Sequence, residues 1–264
     1  MITNPNDPRS PDHEDSMTAS TLRSMPASTP EKPSPTPLPK MQLFILLYIQ
    51  LAEPITAHII LPFIVQLIQD TGVTNGDITR VGYYTGLVES LFFLTETLTI
   101  LQWGRISDKI GRKPVLLIGL FGLTLSMLSF GLSRTFFTVV ASRALAGALN
   151  GNTGVIKCMM GEITDETNVA QGFSFLPLMW AIGNIFGPLL GGLLQHPYDR
   201  LGGLFHRSQF WKNYPYFLPC VTASIFSFSG LIIGGCLLKE VGYNISSRGW
   251  ACIDFFVDTI STAP

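Results

Sequence analysis

Five ionisable side chains stand inside long apolar stretches: Glu53, His58, Glu89, Glu96 and Arg143. At the centre of a bilayer such a group costs about 2.5–3.5 kcal/mol even on insertion scales, so it is usually paired, solvated or used. A carboxylate in apolar surroundings is suited to taking up and releasing protons. Glu89 and Glu96 are seven residues apart, so on a helix they share a face two turns long. That stripe reads equally as a proton ladder or as a face turned toward neighbouring helices. His58 follows Glu53 by five residues and either titrates near neutral pH or simply hydrogen-bonds a neighbour. A second constellation runs from Trp103 to Val115. Arg105, Lys109, Arg112 and Lys113 crowd there around one acid, Asp108, with Gly104 and Gly111 between them. It reads as a tight basic turn of about ten residues, held on the cytoplasmic side by its Lys and Arg. Asp108 precedes Arg112 by four, a spacing that allows an ion pair if one helical turn forms.

The elements that would hold these residues are membrane helices. Charged residues make up 13% of the 264, hydrophobic ones 47%, and Phe occurs 18 times; a soluble domain carries about 25% charge. Six apolar stretches are long enough to span, near 41–68, 81–102, 114–132, 135–158, 172–194 and 215–238. Runs of this length inside lipid must be helical. The expected class is an all-α membrane protein, integral and multi-pass. Residues 1–40 are rich in Pro, Ser and Thr and lack an apolar signal segment, so they read as a disordered cytoplasmic tail. Residues 41–240 form the six-span bundle, and 241–264 a short, poorly ordered tail with no spanning run. With the amino end inside, eleven of the 17 Lys and Arg lie on the inner side and five on the outer, with Arg143 in a span. That bias places both ends in the cytoplasm.

Other chemistry finds little footing. No Walker A loop, H-E-x-x-H or nucleophile elbow occurs, and no basic–aromatic surface suggests nucleic acid. Cys158, Cys220, Cys236 and Cys252 lie far apart and read as packing residues rather than a metal or disulfide set. The reading is therefore not an enzyme, without cofactor, metal or nucleic-acid partner. Small residues at spacing four stand out instead: Gly183, Gly187 and Gly191 in the fifth stretch, Gly147 and Gly151 in the fourth. Such faces let another helix approach closely, and Pro188 removes a backbone donor beside one of them. Asn150 and Asn184 read either as substrate contacts or as links between helices.

The pattern Gly104-x-x-x-Asp108-x-x-Gly111-Arg112-Lys113-Pro114 resembles the signature loop between the second and third helices of the major facilitator superfamily. Arg143-x-x-x-Gly147 fits that family's fourth helix. Gly183-x-x-x-Gly187-Pro188-x-x-Gly191-Gly192 resembles its antiporter motif. Glu53-Pro54 and Leu61-Pro62 look like the first helix of the drug:proton antiporter branch, and Tyr214–Pro219 is similar to fungal members related to the zinc-induced-facilitator group. The resemblance covers 41–240 and implies a six-helix bundle equivalent to the amino-terminal half of such a transporter.

What the resemblance implies is proton-coupled transport of a small molecule by alternating access, with the lipid bilayer and a second six-helix half, reached by homodimerisation or by a longer chain, as partners. It places the first and fourth helices side by side around a cavity. Equal depths counted from the outer ends then suggest a Glu53–Arg143 pair. Asp108 would meet the start of a helix in the second half. The other reading is a truncated, non-transporting membrane protein that assembles with or regulates full-length relatives. Neither the substrate nor the choice between plasma and vacuolar membrane is legible.

Overall fold

The computed structural model describes residues 36–165, 167–200 and 209–238. The expectations for 1–35, for Cys252 and for the tail 241–264 lie outside the described residues. Eight helices build the bundle: α1 (Lys40–His58), α2 (Ile64–Asp70), α3 (Ile78–Ile110), α4 (Arg112–Gly131), α5 (Phe136–Leu149), α6 (Asn152–Ile163), α7 (Val169–Leu194) and α8 (Phe217–Leu237). Two short turns, Pro197–Arg200 and Gln209–Asn213, lie between α7 and α8. α4, α7 and α8 are each long and apolar enough to cross a membrane. α3 has the length but carries Glu89, Glu96 and a series of threonines.

The first and fourth expected spans are not continuous helices. The first is α1 followed by a turn at 59–63 and then α2. Pro62 has no N–H to give and its ring excludes the carbonyl four residues back. The His58 carbonyl accepts instead from Leu61 N at 3.2 Å. The fourth breaks at Asn150–Gly151, between α5 and α6. Asn150 leaves the helical region (φ −84°, ψ 78°). The carbonyl of Ala148, left near the end of α5, accepts the Trp103 indole N–H at 2.8 Å. The same indole fills the space over Gly151 that any Cβ would occupy.

The basic turn is also shorter than expected. α3 continues through Trp103–Ile110, and its 33 residues measure about 50 Å at 1.5 Å per residue, well beyond a hydrocarbon core of about 30 Å. The chain reverses at Gly111 alone, at φ 99° and ψ 160°. That conformation belongs to glycine, so α3 gives way to α4 without a loop. The amino-terminal boundary moves as well. Residues 36–40, expected to be disordered, are placed, with Thr36 hydrogen-bonded to the 164–168 connection.

The main helix contacts are α1 with α7 and α8, α3 with α5, and α4 with α5 and α8. Two apolar cores result. One gathers Leu46, Ile49, Leu116, Leu120, Val155 and Met159 toward the Gly111 end. The other gathers Ile60, Phe63, Val88, Met127, Phe130 and Val139 toward the opposite end. Cys220 and Cys236 are free thiols.

Candidate functional site

Between the two cores lies a buried polar layer. Glu53 (α1) is 3% exposed, Glu96 (α3) 9%, and Asn150, at the fourth-span break, is fully buried. The Thr153 hydroxyl, on the first turn of α6, donates to Glu53 Oε2 and lies 3.4 Å from Glu96 Oε1. Asn150 Nδ2 donates to that same Glu96 oxygen at 3.1 Å. One hydroxyl proton cannot serve two carboxylates at once, so with both acids ionised one of them goes without the Thr153 donor. A proton on either carboxyl supplies the missing donor. Lys157, one turn beyond Thr153, interacts electrostatically with both acids. The break creates this site: freeing Asn150 from the helix turns its side chain onto Glu96.

The expected Glu53–Arg143 pair is not formed. Arg143 lies between the rings of Phe130 (4.7 Å) and Phe92 (5.9 Å), and its charge partner is Glu89. Nε and Nη2 of Arg143 and Oε2 of Glu89 have no hydrogen-bond partner among the described residues. Counting from the outer end misplaced Glu53 because the turn at 59–63 spoils the rise per residue. Counted along unbroken helix from the end nearest the Gly111 turn, at 1.5 Å per residue, Glu53 is about 20 Å in and Thr153 about 15 Å, while Arg143 lies beyond the break at 150–151.

Glu89 and Glu96 both turn toward the fourth span, one to Arg143 and the other to Asn150. His58 Nδ1 donates to the Pro54 carbonyl at 2.7 Å, and its ring meets Trp180 edge-on. Asn184 is exposed on α7 and is not part of the cluster. The α7 glycines lie against α1. A Cβ on Gly183 would meet Pro54 at 2.5 Å and one on Gly187 would meet His58 at 3.1 Å, while Gly191 faces the Ile59 carbonyl. Gly147 faces the Phe92 carbonyl in the same way. α7 runs unbroken through Pro177 and Pro188.

At the Gly111 turn the ionic cluster is denser than the sequence indicated. Arg112 Nη1 donates to Asp108 (2.5 Å) and to Ser107 Oγ (2.7 Å), while Nε and Nη2 fork onto Glu162 Oε1 at 3.1 and 3.0 Å. Gly104 is buried inside α3, and Lys113 is half-buried. Sequence reasoning missed Thr153, Lys157, Glu162 and Trp103. Only the i,i+4 step from Asp108 to Arg112 had a local signal; the others meet across separations of about 45 to 100 residues.

An all-helical bundle with two broken spans, a glycine-faced fifth span and a one-residue turn capped by Arg112 defines an integral membrane protein of the facilitator type. Residues 46–240 match the Major Facilitator Superfamily, and the chain belongs to that family. It is 38% identical over 206 residues to the multidrug transporter mfsB of Aspergillus fumigatus, covering 76% of this chain and 34% of that protein. It is 32% identical over 206 residues to ZINC INDUCED FACILITATOR 1 of Arabidopsis thaliana, covering 78% and 42% respectively. The fold resembles the crystal structure of the human organic anion transporter MFSD10, with TM-score 0.57 and 19% identity, covering 81% of this chain and 54% of that one. The chain thus spans well under half the length of these two sequence relatives.

Proposed function

We propose that this bundle serves proton-coupled secondary transport of a small molecule, with Glu53 and Glu96 as the proton-carrying pair. The observation that carries the reading is the meeting of two carboxyls, from different spans, on the single Thr153 hydroxyl at the break of the fourth span. Taking up a proton completes the hydrogen bonding there; losing it sets two anions against each other and favours a rearrangement of the break. Glu89, His58 and Arg143 form the second polar group, nearer the outer side, along the same path. Relatives named as multidrug transporters support a transport role.

Alternating access needs two bundles rocking about a midplane site. The second bundle comes from a further segment or from a second copy of this chain. Its contact includes the Gly111 turn, where Asp108 Oδ2 is buried without a hydrogen-bond partner among the described residues. The Asp108, Gly111, Arg112 and Lys113 group then latches one state against a helix start of that bundle, whose dipole favours an anion. The inner side is the one that holds Thr36, the Gly111 turn and the 164–168 connection, as the basic residues suggest. Ile110 is exposed, so Ile110→Cys, on a background lacking exposed Cys236, should be labelled only after cells are permeabilised. Labelling of intact cells would reverse the orientation.

The functional test is flux in proteoliposomes under an imposed pH gradient, using a trapped pH dye and a panel of organic cations and anions. Glu53→Gln should abolish the proton-driven component and spare substrate counterflow. Full proton-coupled flux by Glu53→Gln would sink the coupling role. The second reading, a bundle that acts by assembling with another transporter, draws on the exposure of Ile185, Phe186, Leu189 and Leu193 on α7. Absence of flux from the wild type, together with co-purification of a second facilitator bundle, would favour it.

A further inference from the structure

The chain entering α1 is pinned by a strap that carries a modifiable hydroxyl. Thr36 Oγ1 donates to Asp165 Oδ2 at 2.8 Å. Thr36 N–H donates to Thr167 Oγ1 at 3.2 Å. Asn168 Nδ2 donates to the Thr36 carbonyl and hydroxyl oxygens, each at 3.1 Å. Asn168 is itself fixed, because its Oδ1 accepts the Asp165 N–H at 2.8 Å, and it stands immediately before the first residue of α7. The strap therefore ties the start of α1 to the connection between α6 and α7. Thr36 is exposed, and Pro37 follows it. Ser10-Pro11, Thr29-Pro30 and Ser34-Pro35 precede it in the same segment.

We infer that Thr36 is a phosphorylation site for a proline-directed protein kinase, and that its phosphate releases the strap by repulsion from Asp165. The inference rests on the cytoplasmic placement of Thr36 proposed above. In the reaction the Thr36 oxygen attacks the γ-phosphorus of ATP. A new O–P bond forms, the bond to ADP breaks, and the hydroxyl proton leaves to the kinase base. The product loses the donor that Asp165 accepts and gains close to two negative charges beside that carboxylate, an arrangement that disrupts rather than docks. A strap whose hydrogen bonds are exposed at the Thr36 hydroxyl and amide and half-buried only at Asn168 opens readily, so the kinase can engage the extended segment and the phosphate then holds it open.

The test uses the full chain in detergent, a purified proline-directed kinase with ATP, and hydrogen exchange read by mass spectrometry. Pro35, Pro37 and Pro39 have no N–H, so the Thr36 and Leu38 amides alone report the strap between them. Stoichiometric phosphate on Thr36 should speed exchange of the Thr36 amide roughly tenfold, a shift of about 1.4 kcal/mol. Asp165→Asn keeps an acceptor for the hydroxyl and removes the like charge, so phosphorylation should raise exchange much less in that variant. Phosphate on Ser10, Thr29 and Ser34 but not on Thr36 would overturn the site. Unchanged exchange after phosphorylation, or an equal rise in Asp165→Asn, would overturn the switch. The Ile110→Cys labelling tests sidedness separately: an outside result removes the cellular role without bearing on the exchange result.

Discussion

Two charged clusters in this bundle are built on opposite rules. At the Gly111 turn, Arg112 binds Asp108, Ser107 and Glu162 together, so each acid faces a cation. In the middle of the bundle, Glu53 and Glu96 face each other across Thr153, with Lys157 acting electrostatically on both. The first cluster is fixed charge that closes a turn. The second brings two carboxyls onto one hydroxyl, and in the proposed mechanism its bonding changes when a proton arrives. Both sit inside the same small fold, so what separates them is not depth but how each acid is matched: to a cation at the Gly111 turn, to a shared hydroxyl in the middle of the bundle.

The sharpest way to break the comparison is Arg112→Ala. The guanidinium side chain is 8% exposed and holds two acids. Removing it leaves Asp108 and Glu162 facing each other with no cation between them. Breaking a buried pair in this way costs about 3 kcal/mol, the low end being apt because Glu162 is 31% exposed. Thermal unfolding in detergent should show a larger fall in midpoint than Thr153→Val, Glu96→Gln or Asp77→Asn. A midpoint equal to wild type would mean that the turn is held by Gly111 and packing alone.

Thr153→Val should come next. It keeps the shape of the side chain and removes the hydroxyl that both carboxyls approach. Leaving buried acceptors without a donor costs about 2 kcal/mol. The same variant should weaken proton-driven flux, since the shared contact is gone. Unchanged stability together with unchanged flux would assign Glu53 and Glu96 to separate environments and dissolve the pair.

Glu96→Gln sharpens the contrast by its sign. In the Arg112 cluster, neutralising an acid removes an attraction. In the buried pair it removes a repulsion and adds an amide donor within reach of Glu53. Stability should hold or rise by up to about 1 kcal/mol, while proton coupling is lost. A clear loss of stability would show that Glu96 is held as a charge for Lys157 rather than as a partner of Glu53.

How much of this was legible in the sequence depended on range. The signature motif, the glycine face of α7 and the all-helical class were local patterns with one physical solution each. Asp108 and Arg112 were within one turn of each other, so their bond could be anticipated, but Glu162 is 50 residues further on and carries no local mark. The breaks at 59–63 and 150–151 were hidden for different reasons. Pro62 announced the first, yet membrane helices often tolerate proline, as α7 does at Pro177 and Pro188. Asn150-Gly151 announced the second only weakly, because its stability comes from Trp103, on another helix. The misplaced Glu53–Arg143 pair followed directly: a depth count assumes an unbroken helix. Ser107 shows the same limit. It sits in a basic turn by sequence, but it is 1% exposed and bonded to Arg112.

The smallest expected effect lies at the end of α3 away from the Gly111 turn, at Asp77, where a carboxylate caps the helix. Its Oδ1 accepts the Thr79 hydroxyl at 2.6 Å and the Thr79 N–H at 2.9 Å, and Oδ2 meets Arg80 Nε at 3.1 Å. The Thr79 hydroxyl above all, with the Thr79 amide and Arg80, holds this carboxyl below its ordinary value of 3.8. The sign follows from linkage. A group whose folded value is depressed contributes above its unfolded value, and the contribution disappears as pH falls through the folded value. Acidification should therefore loosen the first turn of α3, beginning below the ordinary Asp range. Asp77→Asn provides the reference, because an Asn cap accepts the same backbone bond and does not titrate. Exchange at the Thr79 amide, taken as the ratio of wild type to Asp77→Asn, should change between about pH 6 and pH 2 while the global unfolding midpoint ratio stays flat. A ratio constant with pH would show that the neutral carboxyl caps as well as the anion, and that charge contributes nothing at this end of the helix.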